Sequence, residues 1–359
     1  MAEHQGFSRI LIVGAGPTGL TAAVELARRG VIADVIEKQK AASNLSRAVG
    51  ILPSSMRILE LSGVADAIRS EAIPYQAAVF HDEGPVLARL DLTELPEPDL
   101  RLFGLAQDRT ETLLRTGFES MGGRVAYGTE LTEITQDDVS VRVTAGGEEA
   151  VYDLVIGADG AHSTVRHGLG LAFNGHTLPE QWSIADVESP DWPTPDEFHA
   201  YLCSGGRVVI VAPLERTRFR LVSNTEDALA TLPVPMNLTR VRREAAFQIS
   251  VRQVERYRSG RVFLAGDAAH CHSPVGGRGM NLGIADAADL ARRIVEGDLD
   301  GYNGARHAAG RDTIALSERG RRAVTSTNPV TRGLAKSALR TIAALPSLRR
   351  RFVRGILTL

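Results

Sequence analysis

One stretch near the start of the chain restricts its fold more than any other. Ile10 to Val13 is a short apolar run, and Gly14-Ala15-Gly16-Pro17-Thr18-Gly19 is a glycine-rich turn. Leu20 to Gly30 then has helical spacing, and a second apolar run ends at Glu37. A short unbroken apolar run suits a central strand of a parallel sheet. In such a turn the first glycine allows a tight bend and the second lets the backbone approach a pyrophosphate. The third lets helix and strand pack closely. Pro17 falls at the helix start, where a missing N–H costs least. The free N–H groups and the dipole there face an anion. Glu37 lies about 20 residues on, where a carboxylate can hold ribose hydroxyls, with Lys38 beside it. The stretch is a dinucleotide-binding βαβ unit, and it leaves NAD and FAD equally open.

Bulk properties narrow the setting. The chain has 359 residues, room for two or three domains. Its net charge of −2 gives no electrostatic footprint for nucleic acid. Cys203 and Cys271 are too few for a disulfide framework, which points to a cytoplasmic setting. The N-terminus has no secretory pattern, and no apolar run reaches the ~20 residues of a transmembrane helix. His270, Cys271 and His272 are adjacent rather than spaced as metal ligands, so no metal site is expected.

The βα rhythm is then interrupted. Ser54 to Leu61 has helical spacing, but Ala77–His81, the turn Glu83-Gly84-Pro85 and Val86–Leu90 form a hairpin pattern. A helix returns at 107–120, where Asp108 and Glu111 have the spacing of a capping box. Three strand candidates follow between 124 and 143. Residues 197–202, 208–213 and 219–223 alternate as antiparallel strands, and Thr239 to Gln248 reads as helical. The expected fold is α/β, a Rossmann-like domain with an inserted, mostly antiparallel substrate sheet and a C-terminal helical tail. The cofactor domain would comprise 1–73, 106–172 and 259–325. Residues 74–105 and 173–258 would form the substrate domain, and 326–359 the tail.

Two further elements carry chemistry. The run Leu154–Gly157 ends at Asp159-Gly160, and Val262–Ala265 ends at Gly266-Asp267. Ligands of doubly wound sheets bind at such strand ends. The second is followed by Pro274-Val275-Gly276-Gly277-Arg278-Gly279-Met280-Asn281, with three glycines in four residues. That density implies something approaching the backbone closely. A strand-end aspartate can accept from sugar or ribityl hydroxyls.

Taken in this order, these motifs resemble the FAD-dependent aromatic hydroxylases, single-component monooxygenases of the p-hydroxybenzoate hydroxylase fold. Residues 45–61 are especially similar to hydroxylases of aromatic polyketides. The resemblance implies FAD as cofactor and NADPH or NADH as a transient donor. It implies O2 as co-substrate and hydroxylation of an aromatic or polyketide-like small molecule through a flavin C4a-hydroperoxide. The flavin carries the chemistry, so no catalytic side chain is assigned. Gly14, Ala15, Gly16, Pro17, Thr18 and Gly19 would cradle the pyrophosphate, and Glu37 and Lys38 would flank the adenosine ribose. Arg47 and Gln107 would touch FAD, and Leu131 would offer backbone to the adenine. Asp159 would support FAD and the nicotinamide donor, and Asp267 the ribityl and pyrophosphate region. Pro274, Gly277, Gly279, Met280 and Asn281 would lie under the isoalloxazine ring.

The substrate would sit between this domain and the antiparallel sheet, lined by His81, Trp182, Tyr201 and Arg220. Arg278 departs from the glutamine common in the family, and Gly304 to His307 from a Glu-Arg-Arg-Pro pattern. The resemblance stops short of the thioredoxin-like domain of larger relatives. A halogenase, dehydrogenase or reductase on the same fold remains open, as does a binding protein without FAD. Trp182 and Trp192 lack the halogenase spacing, and intact FAD motifs disfavour a binding protein.

The tail from 332 holds seven basic residues, Arg332, Lys336, Arg340, Arg349, Arg350, Arg351 and Arg354, and no acid. As a basic amphipathic helix it could touch a membrane weakly. The favoured alternative is docking on an acidic face of the protein.

Overall fold

The computed structural model describes residues 7–42, 48–97 and 99–358. A six-stranded sheet has the order Arg258–Ser259, Val262–Leu264, Leu154–Gly157, Ile10–Val13, Asp34–Glu37, Val125–Tyr127. Its neighbours are parallel except for Arg258–Ser259. Ile12 lies beside Ile156 on one side and Val35 on the other, and Ile156 lies beside Phe263. This register brings Gly14, Ala158-Asp159 and Gly266 off the same sheet edge, from three adjacent strands. Helix Pro17–Ala27 packs between helices Gln107–Ser120 and Gly279–Glu296. Leu20, Val24 and Leu26 are buried there. Each such side chain contributes on the order of 2 kcal/mol relative to exposure.

A second sheet of eight strands holds the hairpin Ala77–Asp82 and Val86–Asp91. It also holds the strands Phe173–Glu188, Glu197–Leu202, Val208–Pro213, Arg218–Ser223 and Arg240–Val254, with His270–Cys271 at one edge. Only the pair Glu197–Leu202 and Ala77–Asp82 is parallel. The 239–248 stretch is therefore strand, not helix. It pairs with Phe173–Glu188 along most of its length. Arg-Arg-Glu-Ala-Ala favours helix intrinsically. Period-two burial through Phe247, Ile249 and Val251 overrides that preference.

The two faces of this sheet differ. One carries Trp182, Ile184, Leu202, Val208, Val222 and Val251, and it meets Val275 of the glycine-rich loop. The other carries Ala185, Val187, Tyr201, Val209, Val211, Phe219 and Leu221, and is covered by Trp192 and the 228–238 segment.

Helices Asp300–Val324, Pro329–Ala344 and Pro346–Leu357 complete the chain. Val353 and Leu357 are buried with Tyr75, Leu90, Leu92, Leu95 and Leu100. The tail's charges meet acids: Arg349 with Glu94, Arg354 with Glu97, and Lys336 with Asp82. The tail is thus docked on an acidic face. Of the apolar face the sequence offered to a membrane, Val353 and Leu357 are buried inside the fold, whereas Leu345 and Leu348 stay exposed. No helix of the described residues is long and apolar enough to cross a membrane.

Candidate functional site

Helix Gln107–Ser120 begins one residue before Asp108, with Ala106 in the cap position and no side-chain cap. The expected capping box is absent. Glu111 turns inward and accepts from Gln107 Nε2 at 2.8 Å. Gln107 Oε1 accepts the N–H of Ala48 at 3.1 Å. Gln107 is thus engaged in holding the chain next to the segment that contains Arg47. Arg47 itself lies outside the described residues.

The first turn has the geometry its glycines require. Gly14 has φ +105°, and a Cβ there would overlap the carbonyl of Ala158. A Cβ on Gly19 would overlap the carbonyl of Gly14, whereas Gly16 faces open space. Gly16 is the N-cap of helix Pro17–Ala27 and makes no side-chain cap, so the helix start presents N–H groups to that space. The Ala15 N–H donates to Glu37 Oε2 and the Gln39 N–H to Oε1, both at 2.9 Å. Glu37 thereby fixes the turn, and it lines the adjoining cavity. The Thr18 side chain occupies the space a Cβ would need at Gly266 and Gly283. It packs the helix against the third strand end.

A cavity of about 190 Å3 lies at this edge, lined by Gly14, Gly16, Glu37, Lys38, Thr129 to Leu131, Asp159, Gly160 and Thr164 among others. Asp159 Oδ2 accepts the N–H of Val165 at 3.1 Å. Its other oxygen, Oδ1, is buried without a partner. Burial raises its pKa, opposed by hydrogen bonds to Ser163 and the backbone. A buried orphan acceptor is costly unless a ligand donor satisfies it. Ser163 caps the next helix through the Arg166 N–H. Arg166 is buried and donates to Ala268 O and Ala161 O at 2.8 Å each. It ties the second strand end to the third.

At the third strand end Gly266 has φ +61° and Asp267 is exposed. What lies beneath is a buried charge network. Asp286 accepts from the Gly266 N–H at 3.0 Å, faces His270 Nε2 at 2.6 Å and accepts from Arg306 Nε at 2.6 Å. Burial pushes its carboxyl up, but the His270 and Arg306 charges outweigh burial and hold it below the usual range. This network was not anticipated as a unit. The signal was available: Asp286 sits on the same helix face as Leu282, Gly283 and Leu290, where an acid needs a partner.

The glycine-rich loop turns through Gly276 at φ +92° and Gly277 at φ +62°. Pro274 and Gly277 are exposed, and helix Gly279–Glu296 begins at once. Met280 is buried in the core. Asn281 is fully buried and accepts from Leu52 N and Ser55 Oγ while donating to Gly50 O and Gly277 O. Both side chains therefore hold the loop in shape, which leaves Pro274 and the backbone of Gly276 and Gly277 exposed.

The four proposed substrate residues divide by sheet face. Trp182 and Arg220 are on the loop-facing side. Arg220 forms a two-point pair with Asp186 at 2.7 Å and donates to Ala48 O at 3.2 Å. His81 and Tyr201 stack on each other on the far face, beside Trp192 and His199. Strand alternation directs them away from the loop. His81 Nδ1 contacts Gly84 O at 2.9 Å, and its Nε2 contacts His199 Nδ1 at 3.0 Å. These two residues belong to the sheet's outer core.

The arrangement suits FAD on structural grounds. It offers free helix N–H groups, an outward acid at Glu37, an orphan acceptor at Asp159, an exposed acid at Asp267 and a close-approach glycine loop. NAD alone would leave the last two unused.

Known proteins agree with this geometry. The family profile described as "FAD binding domain" matches residues 8–233 and 225–315. Pentachlorophenol 4-monooxygenase of Sphingobium chlorophenolicum is 33% identical over 311 residues, covering 79% of this chain and 57% of that protein. The 6-methylpretetramide 4-monooxygenase of Streptomyces rimosus is 32% identical, covering 80% and 56%. The chain thus spans little more than half the length of these relatives. The crystal structure of p-nitrophenol 4-monooxygenase from Pseudomonas putida superposes with a TM-score of 0.87 at 23% identity, covering 98% of both chains.

Proposed function

This chain belongs to the FAD-binding-domain family, and on that premise we propose that it is an FAD-dependent monooxygenase. It uses NADPH or NADH and O2 to hydroxylate an electron-rich aromatic ring, phenolic or polyketide-like. The carrying observation is the convergence of three strand ends and one glycine loop beside the apolar face of a second sheet. A redox cofactor of this length and a small apolar substrate then meet at one place. The names of the relatives, which act on a chlorinated phenol and on a pretetramide, support an aromatic substrate.

Bound there, FAD would supply electron transfer from the nicotinamide and oxygen activation. The chain's own residues bind, orient and exclude water. Gly14, Gly16 and the start of helix Pro17–Ala27 hold the diphosphate, and Glu37 holds the ribose while keeping Ala15 in place. Asp159 Oδ1 and Asp267 accept hydroxyl groups along the cofactor. The Gly276–Gly279 backbone would hold the ring. Asn281 and Ser317 keep that loop rigid, the latter donating to Ser273 O at 2.8 Å and Val275 O at 3.0 Å. The sheet face around Trp182, Ile184 and Val222 forms an apolar wall that would exclude water from the cofactor's reactive end. Arg220, neutralised by Asp186, joins that wall to the backbone of Ala48.

The test is direct. Purified protein should carry a flavin spectrum. Phenols and polycyclic aromatic phenols should be screened for stimulation of NADPH or NADH oxidation with O2 uptake. A stimulating compound should yield a product heavier by one oxygen atom. Nicotinamide consumption that no aromatic compound accelerates would refute the hydroxylase reading.

A further inference from the structure

Arg278 stands where the resembled family commonly has glutamine, and the structure gives it a task a glutamine cannot perform. It lies in the middle of the glycine-rich loop yet is only 6% exposed. Its guanidinium crosses to the end of helix Pro346–Leu357. Nη1 donates to Thr358 O at 2.7 Å and Nη2 to Gly355 O at 2.8 Å. The last carbonyls of a helix have no partner within it, and they carry the negative end of its dipole. A forked cation satisfies two of them at once. Burial lowers the Arg278 pKa, and the two carbonyls it donates to oppose that by favouring the charged form. A glutamine side chain is shorter, uncharged and has one amide nitrogen.

The same helix is anchored elsewhere. Val353 and Leu357 are buried against the Tyr75 and Leu90 cluster, and Arg349 and Arg354 pair with Glu94 and Glu97 at 2.9 and 2.5 Å. The loop is otherwise held by Ser317 on one side and Asn281 on the other. Arg278 is thus a third attachment, between the loop's glycines and the chain's last helix.

We propose that Arg278 is a positioning residue that latches the flavin-facing loop to the C-terminal helix, so that FAD binding and docking of that helix are one coupled equilibrium. The inference rests on FAD lying against this loop. Cofactor bound to the loop stabilises the docked helix, and the docked helix raises affinity for the cofactor by the same factor, as linkage requires. Glutamine at 278 uncouples them.

The test reads both directions on the full chain. Arg349, Arg350, Arg351 and Arg354 are natural tryptic sites within the latched helix. FAD should slow cleavage there severalfold in the wild type, and this protection should vanish in R278Q. FAD affinity, read by flavin fluorescence, should fall about tenfold in R278Q and recover in part in R278K, which keeps charge but not the fork. Far-UV dichroism checks that R278Q is folded. Should R278Q not fold, the variant E94Q/E97Q, at two partly buried ion pairs, loosens the helix from its other side. It must then speed cleavage and weaken FAD binding together. The latch is overturned if R278Q binds FAD as tightly as the wild type or keeps the tryptic protection. It is equally overturned if E94Q/E97Q frees the helix with no change in FAD affinity. A wild-type protein that binds no FAD would instead overturn the cofactor reading itself.

Discussion

Glu111 should be a liability at neutral pH, and replacing it with glutamine should stabilise the protein. Its side chain is turned inward and is 6% exposed. One oxygen accepts from Gln107 Nε2 at 2.8 Å. Burial pushes its pKa up to about 7 from an ordinary 4.5, with the Asp108 and Glu37 charges adding and the Gln107 hydrogen bond opposing. The sign follows from linkage. Below pH 4.5 the group is protonated in both states and costs nothing. As pH rises the unfolded chain ionises first, so stability falls until the folded group ionises near 7. The gap corresponds to roughly 3 kcal/mol, at about 1.36 kcal/mol per pKa unit.

Glu111→Gln keeps the shape and the acceptor for Gln107 but cannot ionise. Urea unfolding of both proteins without FAD, from pH 4 to pH 8, should give near-equal stabilities at the acid end. The variant's advantage should grow to on the order of 3 kcal/mol at pH 8. A difference that does not change with pH would refute the reasoning, because it would mean that the Glu111 carboxylate is not desolvated.

Two other predictions concern His199 and Asp267. Burial pulls His199 down to about 4, with the His81 and Arg89 charges adding to it, so it is neutral in the folded protein. Its contribution is intact above pH 6.5 and is lost as pH falls towards 4, by roughly 3 kcal/mol in all. H199Q should flatten the acid limb of the stability curve, and an unchanged limb would sink the idea. Asp267 is exposed and outside the Asp286 network, so D267A should leave the unfolding free energy of FAD-free protein, read by urea, within about 0.5 kcal/mol of wild type. FAD affinity should drop by roughly ten- to a hundredfold, the worth of charge-assisted hydrogen bonds. A lowered midpoint with unaltered FAD affinity would make Asp267 a structural residue.

Much of the cofactor side was legible because its constraints are local. A tight turn, a helix start and an acid two elements later lie within one βαβ unit, and each glycine answers a nearby steric demand. The second and third strand ends were legible for the same reason. The substrate sheet was harder, since its strands draw their conformation from partners far along the chain. Arg240–Val254 takes its form from Phe173–Glu188, and its helix-favouring residues gave the opposite signal. Residue type alone also failed to sort side chains by face. His81 and Tyr201 have the chemistry of a substrate pocket, but strand alternation turns them towards Trp192.

The cofactor residues themselves show a more general limit. Thr18, Gln107, Met280 and Asn281 lie in or beside motifs that mark a cofactor, yet their side chains work inward, on Gly266, Ala48, the core and residues 50–55. A motif identifies a backbone that a ligand can approach. It does not say that each side chain in it touches the ligand, because a backbone presented to a ligand must itself be held from behind. Seen this way, the substitution at 278 changes meaning. Arg278 leaves Gly276 and Gly277 exposed while its own charge reaches backward to Gly355 and Thr358. That places it with Asn281 and Ser317 among the supports. Unlike them, it leads to a helix at the far end of the chain, so the loop's rigidity depends on a segment remote from any motif.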